Sequence, residues 1–360
     1  MNDLVALTKN VDLVGLIGKD VRLVKVSARE YAGPCVRCGG RDRFRLNLDR
    51  GWFCRQCQEA PDSGGHWHDA IDYIQFRDGL TFVDAVERLT GRRQVTPEEA
   101  ARIEEMHRQH VAELERQEAE TRKAAADELT TSGDWQRYNA NLKEDPRARE
   151  YWRVRGIADD WQDYYGLGYC PERDWKAGSE TVRSASLTIP YFIPVVEQHP
   201  GEGDDYTWRV IDLKHRLLMT DAPGGKYRHH IAGCGNNLFV TDLFVHPERL
   251  FADVLIVEGE IKAMVVNACL YDEDNCHLPS LTVIGVPGKN WKPEWIAQFQ
   301  RAERVFVCLD PDAYKDAGRL ASMIGEQARN ILLPEKIDDL ILAGALNRNT
   351  LRRLFDGAWR

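Results

Sequence analysis

The chain has 360 residues and a formal net charge of −9 at pH 7, enough length for two or three domains with a sizeable core. It has no apolar run of about 18 residues and no targeting pattern at its N-terminus, so we expect a cytosolic protein without a membrane segment. Nine cysteines in such a protein favour metal binding over disulfides. The negative net charge does not indicate nucleic-acid binding, although a whole-chain sum hides local basic patches.

The first clear motif is a pair of Cys-x-x-Cys sequences separated by 15 residues, formed by Cys35, Cys38, Cys54 and Cys57. This spacing is typical of a tetrahedral four-thiolate zinc site. Four thiolates complete the coordination of the metal, so the zinc would be structural and the module would bind rather than catalyse. His66 and His68 lie nearby in the sequence and leave a mixed cysteine and histidine ligand set as the alternative.

Arginines and aromatic residues surround this motif. The arginines are Arg37, Arg41, Arg43, Arg45, Arg50 and Arg55. Arginine binds phosphates and aromatic rings stack on bases, so the composition favours a module that reads single-stranded nucleic acid. The alternative is that the arginines form a solvated face. For Phe44 and Phe53 we expect a place in the small core instead.

Two amphipathic helices are predicted next, over residues 69–76 and 82–89, joined through Asp78-Gly79. A capping box at Thr96-Pro97-Glu98-Glu99 then begins a segment rich in Glu, Arg, Gln and Ala that continues to residue 129. Few of its residues are apolar. We therefore predict a long and mostly solvated helix that acts as a spacer.

Two apolar runs in the second half of the chain each end in acidic residues. Residues 254–257 precede Glu258, and residues 305–309 precede Asp310 and Asp312. A helix is predicted after each acidic cluster, over 261–270 and 317–328. Such runs are typical of buried strands in a parallel sheet, whose carboxyl ends line the ligand crevice. We expect an extended backbone to point Asp310 and Asp312 the same way, so that three carboxylates converge on Mg²⁺ or Mn²⁺. The alternative is that each acid is a turn residue or a helix cap.

A strand interrupted by proline is predicted over residues 187–194, with a hairpin partner over 206–212. Basic residues are concentrated here and just after, at Arg209, Lys214, Arg216, Lys226 and Arg228. They form either a groove that binds nucleic acid or a solvated sheet face.

Taken in order, these motifs resemble a known family. The run Tyr31-x-Gly33-x-Cys35-x-x-Cys38, then Trp52-Phe53-Cys54-x-x-Cys57, then Gly79-Leu80-Thr81-Phe82 is similar to the zinc-binding domain of bacterial and phage DnaG-type DNA primases. Residues 253–345 resemble a TOPRIM domain, the metal-binding fold of primases, topoisomerases and some nucleases. The variant Val-Glu-Gly-Glu-x-Lys-Ala, with Glu260 and Lys262, is more similar to phage or plasmid members than to chromosomal ones.

The resemblance implies a mixed α/β primase core containing a TOPRIM parallel sheet, joined by the helical linker to an N-terminal zinc ribbon. It implies a zinc-binding domain over 1–91, a linker over 92–145, the first part of the core over 146–250, the TOPRIM domain over 251–345 and a short tail over 346–360. No phosphate-loop motif occurs, so we expect no helicase motor in this chain.

The same resemblance assigns roles to individual residues. It makes Glu258, Asp310 and Asp312 catalytic ligands of Mg²⁺ or Mn²⁺, with Asp338 as a fourth candidate. It makes Lys226, which matches the lysine of a Lys-Tyr motif in the family, a catalytic residue. It also implies that the nucleotide and the template are bound by further basic residues, namely Arg209, Lys214, Arg216, Arg228 and Lys262.

The implied activity is DNA-dependent synthesis of short RNA primers. Its partners would be single-stranded DNA, nucleoside triphosphates and a replicative helicase acting in trans, with no membrane. The alternatives are a TOPRIM nuclease or topoisomerase, and a non-catalytic zinc-ribbon factor that binds single-stranded DNA.

Overall fold

The computed structural model describes residues 11–58, 66–91, 97–177, 180–199, 203–223, 225–231, 234–241, 253–271, 281–288 and 291–359. The chain divides into two compact units, residues 1–123 and 124–360. The division falls within one long helix. Residues 124–145, which the sequence placed in the linker, therefore belong to the second unit, and Tyr138 and Leu142 are buried there.

The first unit contains an antiparallel sheet with strands in sequential order. Its elements are α1 (Leu13–Ile17), β1 (Val24–Lys25), β2 (Glu30–Cys35), β3 (Gly39–Asn47), β4 (Gly51–Cys54), α2 (Ala70–Asp78) and α3 (Phe82–Thr90). Both predicted helices are present, and each ends at a glycine in the left-handed conformation. Asp69 caps α2 through a capping box, which explains why the helix begins there.

Aromatic packing forms the core of this unit. Phe44 stacks on Trp52 with ring centroids 5.0 Å apart, and Tyr73 meets Trp52 edge to face at 5.6 Å. The indole Nε1 of Trp52 donates to the carbonyl of Asp69 at 2.7 Å. Only glycine fits at position 51, because a Cβ atom would lie 2.2 Å from the carbonyl oxygen of His68. Its φ of +119° also favours glycine.

The long helix α4 (Pro97–Ser132) follows. It is mostly exposed over residues 101–123, with internal ion pairs such as Arg116 with Glu113 at 2.8 Å, as the predicted spacer requires. Within the second unit its end becomes buried, because Ala125 and Leu129 pack under the first sheet of that unit.

The second unit begins with helices and a four-stranded antiparallel sheet. The elements are α5 (Asp134–Glu144), α6 (Pro146–Val154), α7 (Asp159–Tyr164), β5 (Gly168–Ala177), β6 (Glu180–His199), β7 (Gly203–Leu217) and β8 (Tyr227–His229). β6 and β7 form the predicted hairpin. β6 contains Pro190 and Pro194 and pairs with β7 from Ser186 to His199, with a register shift between Tyr191 and Phe192.

A five-stranded sheet in the order β13-β12-β10-β11-β9 completes this unit. The elements are β9 (Phe239–Val240), β10 (Asp253–Glu258), α8 (Glu260–Leu270), β11 (Leu281–Val286), α9 (Pro293–Phe299), β12 (Arg304–Cys308), α10 (Tyr314–Ile324), β13 (Ala328–Asn330), α11 (Ile337–Leu342) and α12 (Arg348–Trp359). β10 to β13 pair in parallel, and only β9 runs antiparallel within this sheet. Both faces of β10 are buried, which explains its unbroken apolar sequence.

Two expectations about the end of β12 are wrong. Residues 311–313 form a 3₁₀ turn in which the N–H of Ala313 donates to the carbonyl of Asp310 at 2.8 Å, so the segment is not extended. The fixed φ of Pro311 suits such a turn. The following helix also ends at Ile324 rather than at residue 328, because Gly325 adopts a φ of +118° and Ala328 already belongs to β13.

The C-terminal helix α12 packs into the core of the second unit through Leu351 and Phe355, and the ring of Phe355 lies 4.9 Å from that of Phe306. Throughout the part of the chain that the structure describes, the helices are too short or too polar to cross a lipid bilayer.

Candidate metal centres and nucleic-acid surface

The four cysteines of the first unit form one cluster. Cys35 and Cys54 end strands β2 and β4, and Cys38 and Cys57 lie in the turns that follow. The sulfur atoms are all within 4.8 Å of one another, with Cys35 to Cys57 at 3.9 Å and Cys38 to Cys54 at 3.5 Å. Four sulfurs at about 2.3 Å from a tetrahedral zinc ion lie about 3.8 Å apart. The cluster therefore has the dimensions of a zinc site.

The ionisation of the four thiols also favours a cation. Hydrogen bonds with Cys54 and Cys57 lower the pKa of Cys35 to about 2, whereas the bond to Cys35 raises the pKa of Cys54 to about 12. The pKa of Cys57 is raised as well, first through Cys35 and then through Cys54. A bound zinc ion would allow all four thiols to ionise.

Neither nearby histidine belongs to the cluster. The Nδ1 atom of His68 lies 3.3 Å from Asp72, and the Nδ1 atom of His66 lies 3.3 Å from Glu118. The structure therefore does not support a ligand set that mixes cysteine with His66 or His68.

Several arginines of the ribbon are accessible. Arg45 and Arg55 both pair with Asp42, at 3.5 and 2.6 Å, and the exposed arginines are Arg37, Arg41, Arg50 and Arg55. The aromatic residues of the ribbon, Phe44, Trp52 and Phe53, are all buried, so they build its core and are not available to stack on bases. Any contact with nucleic acid through this sheet thus depends on its arginines.

The acidic residues of the second unit lie at the carboxyl end of its parallel sheet. Glu258 is the last residue of β10, and Asp310 follows the neighbouring strand β12 by one residue. The close approach of β11 to the turn after Glu258 requires glycine, since a Cβ atom on Gly285 would lie 2.7 Å from the carbonyl oxygen of Gly259. Both strand ends thus reach the same edge of the sheet, which we call the acidic edge (Glu258, Asp310, Asp312 and Asp338).

Lysines neutralise part of the acidic edge. The ammonium group of Lys262 lies 3.1 Å from Oδ1 of Asp310, and that of Lys336 lies 3.8 Å from Oδ2. Burial raises the pKa of Asp338, Lys262 opposes this rise, and Asp310 adds to it, so the three charges share one neighbourhood. The buried Oδ1 atom of Asp338 has no hydrogen-bond partner among the described residues.

The carboxylates of the acidic edge are not gathered as closely as the thiols. Over the described ranges, the cysteines are the only group of three or more possible metal donors whose atoms lie within 4.8 Å of one another. Asp312 is exposed on the 3₁₀ turn, whereas Asp310 is largely enclosed. Even so, the hard oxygen donors and the unpaired buried oxygen of Asp338 suit a divalent cation such as Mg²⁺ or Mn²⁺.

Lys214 does not face the solvent. Its ammonium group donates to the carboxylate of Glu260, which also accepts from the hydroxyl of Tyr191. Tyr191 and Glu260 are buried, and the Lys214 side chain is only 12% exposed. Burial alone would raise the pKa of Glu260, but Lys214 and these hydrogen bonds lower it overall. Glu260 is the first residue of α8, so this buried pair fixes that helix, and with it Glu258, against β6 and β7.

The other basic residues also differ in what they contact. Arg209 forms an ion pair with Asp127 on α4, and Arg228 donates to the carbonyls of Gly225 and Tyr227 in its own turn. Lys226 is exposed. Of the residues that the sequence grouped together, Arg209, Lys214 and Arg228 thus have partners within the protein.

Arg216 is part of a stack of cations and aromatic rings. Its guanidinium lies 5.5 Å from the ring centroids of both Tyr151 and Tyr227, and it donates to the Tyr227 hydroxyl at 2.8 Å. The guanidinium of Arg155 also lies over the Tyr151 ring, 5.7 Å from its centroid. A cavity of about 400 Å³ opens beside this stack, lined by Arg147, Glu150, Tyr151, Val154 and Arg155.

Sequence reasoning missed Arg147, Tyr151 and Arg155 as site residues. They are spaced four apart, so they lie along one face of α6 and its end, and this spacing is the signal that could have found them.

Comparison with known proteins finds a zinc-binding family and a DNA primase. Residues 30–65 match the family described as the zinc-binding domain of primase-helicase. A DNA primase from Myxococcus xanthus is 29% identical over 382 aligned residues, which cover 97% of this chain and 57% of the relative. The chain thus spans little more than half the length of that curated relative. Together with the thiol cluster, the family match confirms the predicted zinc-binding ribbon.

Two solved structures align with this chain at low similarity. The crystal structure of the Aquifex aeolicus primase, with its zinc-binding and RNA polymerase domains, is 18% identical, with a TM-score of 0.46 over 99% of this chain and 85% of that one. The structure of the DnaG catalytic core is 17% identical, with a TM-score of 0.43 over 63% of this chain and 78% of that one.

Proposed function

We propose that this chain is a DNA primase that synthesises short RNA primers on single-stranded DNA by metal-dependent nucleotidyl transfer. One observation carries the proposal: the second unit combines an acidic edge on a parallel sheet with a stack of arginines and tyrosines beside an open cavity. The zinc ribbon and the Myxococcus xanthus primase support the same function. We infer further that residues 253–345 form a TOPRIM domain of the phage or plasmid kind, and that the protein works in the cytosol.

The acidic edge would hold the catalytic metal. Glu258, Asp310 and Asp312 are the proposed ligands, with Asp338 as the fourth candidate. A bound Mg²⁺ or Mn²⁺ ion would neutralise the triphosphate and lower the pKa of the attacking 3′-hydroxyl. The buried pair of Lys214 with Glu260 would keep Glu258 in place, because Glu260 follows it by two residues at the start of α8. Lys214 thus acts by positioning, in place of the nucleotide contact that the resemblance implies.

The stack around Arg216 would bind the nucleic acid and the nucleotide. Arg155 and Arg216 present guanidinium groups for phosphates, and the exposed ring of Tyr227 offers a surface on which a base can stack. Lys226 would contact the triphosphate from the adjoining turn. Arg209 and Arg228 would reach the template only after exchanging their present partners, so we assign them smaller roles.

The zinc ribbon would contact the template strand through Arg41 of β3 and Arg50 of the turn after it, which are both exposed. Its match to a primase-helicase family supports a replicative helicase as partner in trans.

Two variants separate template binding from synthesis. We expect Arg155→Ala to weaken binding of a labelled single-stranded oligonucleotide about tenfold, whereas Glu258→Gln should bind normally and make no primer. Arg183→Ala is the control for the first, since this exposed arginine of β6 pairs with Asp174 instead. Normal synthesis by Glu258→Gln would contradict the proposed metal ligand. Binding without synthesis by the parent would indicate a non-catalytic binding factor, and cleavage of the template would indicate a nuclease or topoisomerase.

A further inference from the structure

Lys262 places a positive charge of the protein itself inside the acidic edge. It lies one helical turn after Glu258, and its ammonium group donates to the Glu258 carbonyl at 3.2 Å. The same group lies 3.1 Å from Oδ1 of Asp310. The Lys262 and Asp310 side chains are only 15% and 12% exposed, so the contact is shielded from solvent. The ammonium group is therefore held against the acids of the site from two sides.

This position matters for the number of metal ions that the edge accepts. In two-metal sites the ions lie about 3.5–4 Å apart and share a carboxylate between them. Asp310 follows the strand next to that of Glu258, so its carboxylate would offer one oxygen to each ion of such a pair. One of its two oxygens is already in contact with a fixed cation. A second divalent ion on that oxygen would meet the ammonium at short range in a poorly solvated setting, where like charges repel strongly.

Lys336 differs in both distance and exposure. Its ammonium group is 3.8 Å from the other oxygen of Asp310, and its side chain is 52% exposed, so it can move into solvent when an ion binds. The Lys262 side chain is only 15% exposed and its ammonium group is also bonded to the Glu258 carbonyl, so it has less room to move away.

We propose that Lys262 occupies the place of one cation, so that the acidic edge binds a single divalent ion and not a pair. This inference rests on the metal-binding acidic edge proposed above. The ammonium group supplies a permanent charge that neutralises Asp310 at any metal concentration. It cannot act as a Lewis acid, so the activation of the attacking hydroxyl would depend on one ion only.

The test counts Mn²⁺ ions bound per chain, from the loss of the paramagnetic resonance signal of free Mn²⁺, in protein loaded with zinc. Thiolates prefer zinc to Mn²⁺, so the ribbon does not add to the count. We expect one ion in the parent, two in Lys262→Met and one in Lys262→Arg, which keeps the charge. Lys262→Gln is a second neutral variant with the same expectation as Lys262→Met. Lys176→Met, which removes an exposed charge from the hairpin of β5 and β6, should bind one ion like the parent.

The outcomes distinguish the two proposals. Two ions in the parent, or one ion in both neutral variants, would overturn the role of Lys262 and leave the metal-binding edge intact. No ion in the parent at millimolar Mn²⁺ would overturn the metal-binding edge and the proposed function with it. A second ion that appears in both neutral variants and not in Lys262→Arg would establish the inference.

Discussion

The zinc ribbon and the acidic edge are both built from groups that repel one another unless a cation is present, but the chain assembles them in different ways. In the ribbon, each Cys-x-x-Cys pair closes a local turn, and two such turns bring four sulfurs within 4.8 Å. At the acidic edge, Glu258 and Asp310 are 52 residues apart in the sequence and meet only because β10 and β12 pair.

The two regions also differ in where the balancing charge comes from. In the ribbon the sulfur atoms contact one another, and a zinc ion supplied from outside would balance their charge. The acidic edge carries its own cations, Lys262 and Lys336, and a buried pair beneath it, Lys214 with Glu260. We therefore expect loss of the metal to unfold the ribbon and to leave the fold of the second unit unchanged.

Removal of zinc should produce the largest effect. Binding of structural zinc contributes on the order of 10–16 kcal/mol to the folding of small zinc modules, so Cys54→Ser should abolish zinc binding and unfold the first unit. Zinc content by atomic absorption should fall from one ion per chain to none, and limited proteolysis should cut within residues 11–91. Cys269→Ser, which changes a half-buried thiol of the second unit, should retain zinc. A folded ribbon in Cys54→Ser would contradict the four-thiolate centre.

Breaking the buried pair should have the next largest effect and should act on the second unit alone. Lys214→Met leaves the carboxylate of Glu260 buried without its cation, which typically costs about 3–5 kcal/mol in the free energy of unfolding. The double variant Lys214→Met with Glu260→Gln should recover much of this loss, because no unpaired charge remains. Urea denaturation of the three proteins measures both values. Equal stability of the parent and Lys214→Met would show that the pair does not stabilise the fold.

Acid should weaken the second unit by a smaller amount, through two buried histidines. His215 and His230 are hydrogen-bonded to each other at 2.9 Å, and burial lowers the pKa of His230 to about 4 and that of His215 well below its usual range. A folded-state pKa below the unfolded value of about 6.5 gives stability that is complete above pH 6.5 and is lost as the pH falls towards 4. Full protonation of His230 would lower the free energy of unfolding by about 3 kcal/mol.

Hydrogen exchange of β6 and β7 at pH 7.5 and pH 5 measures this change in the second unit without interference from the zinc site. We expect His230→Asn to lower the stability at pH 7.5 and to make it depend less on pH, and His110→Asn, at an exposed position of α4, to behave like the parent. A pH dependence that is unchanged in His230→Asn would contradict the assignment.

Local patterns were sufficient to predict the ribbon, whereas parts of the acidic edge and its surroundings could not be predicted. The spacing of Cys35, Cys38, Cys54 and Cys57 fixes a site whose geometry is created by two short turns. The positions of Glu258 and Asp310 at one sheet edge also followed from the sequence, because parallel strands end at a common side. The direction of Asp312 did not, because the alternation expected of an extended segment is lost in the 3₁₀ turn over residues 311–313.

The contacts of the basic residues were even harder to predict from the sequence. The sequence predicted that Lys214 lies in the groove, because its neighbours are basic. Its partner in the structure is Glu260, which lies 46 residues further along the chain. In the same way Arg216 meets Tyr151 only in the folded second unit. A pattern of charge along the sequence predicts where a basic surface begins, and only tertiary packing decides which of its side chains remain available.

The most direct test of the account is synthesis of new oligomers on a library of single-stranded DNA templates, with labelled ribonucleotides and Mg²⁺ or Mn²⁺. We expect the parent protein to make short RNA products without a primer, and Asp310→Asn to lose about 100-fold or more of this activity while it folds and binds the template normally. Failure of the folded, template-binding parent to make any product, or equal synthesis by Asp310→Asn, would contradict a primase whose chemistry takes place at the acidic edge.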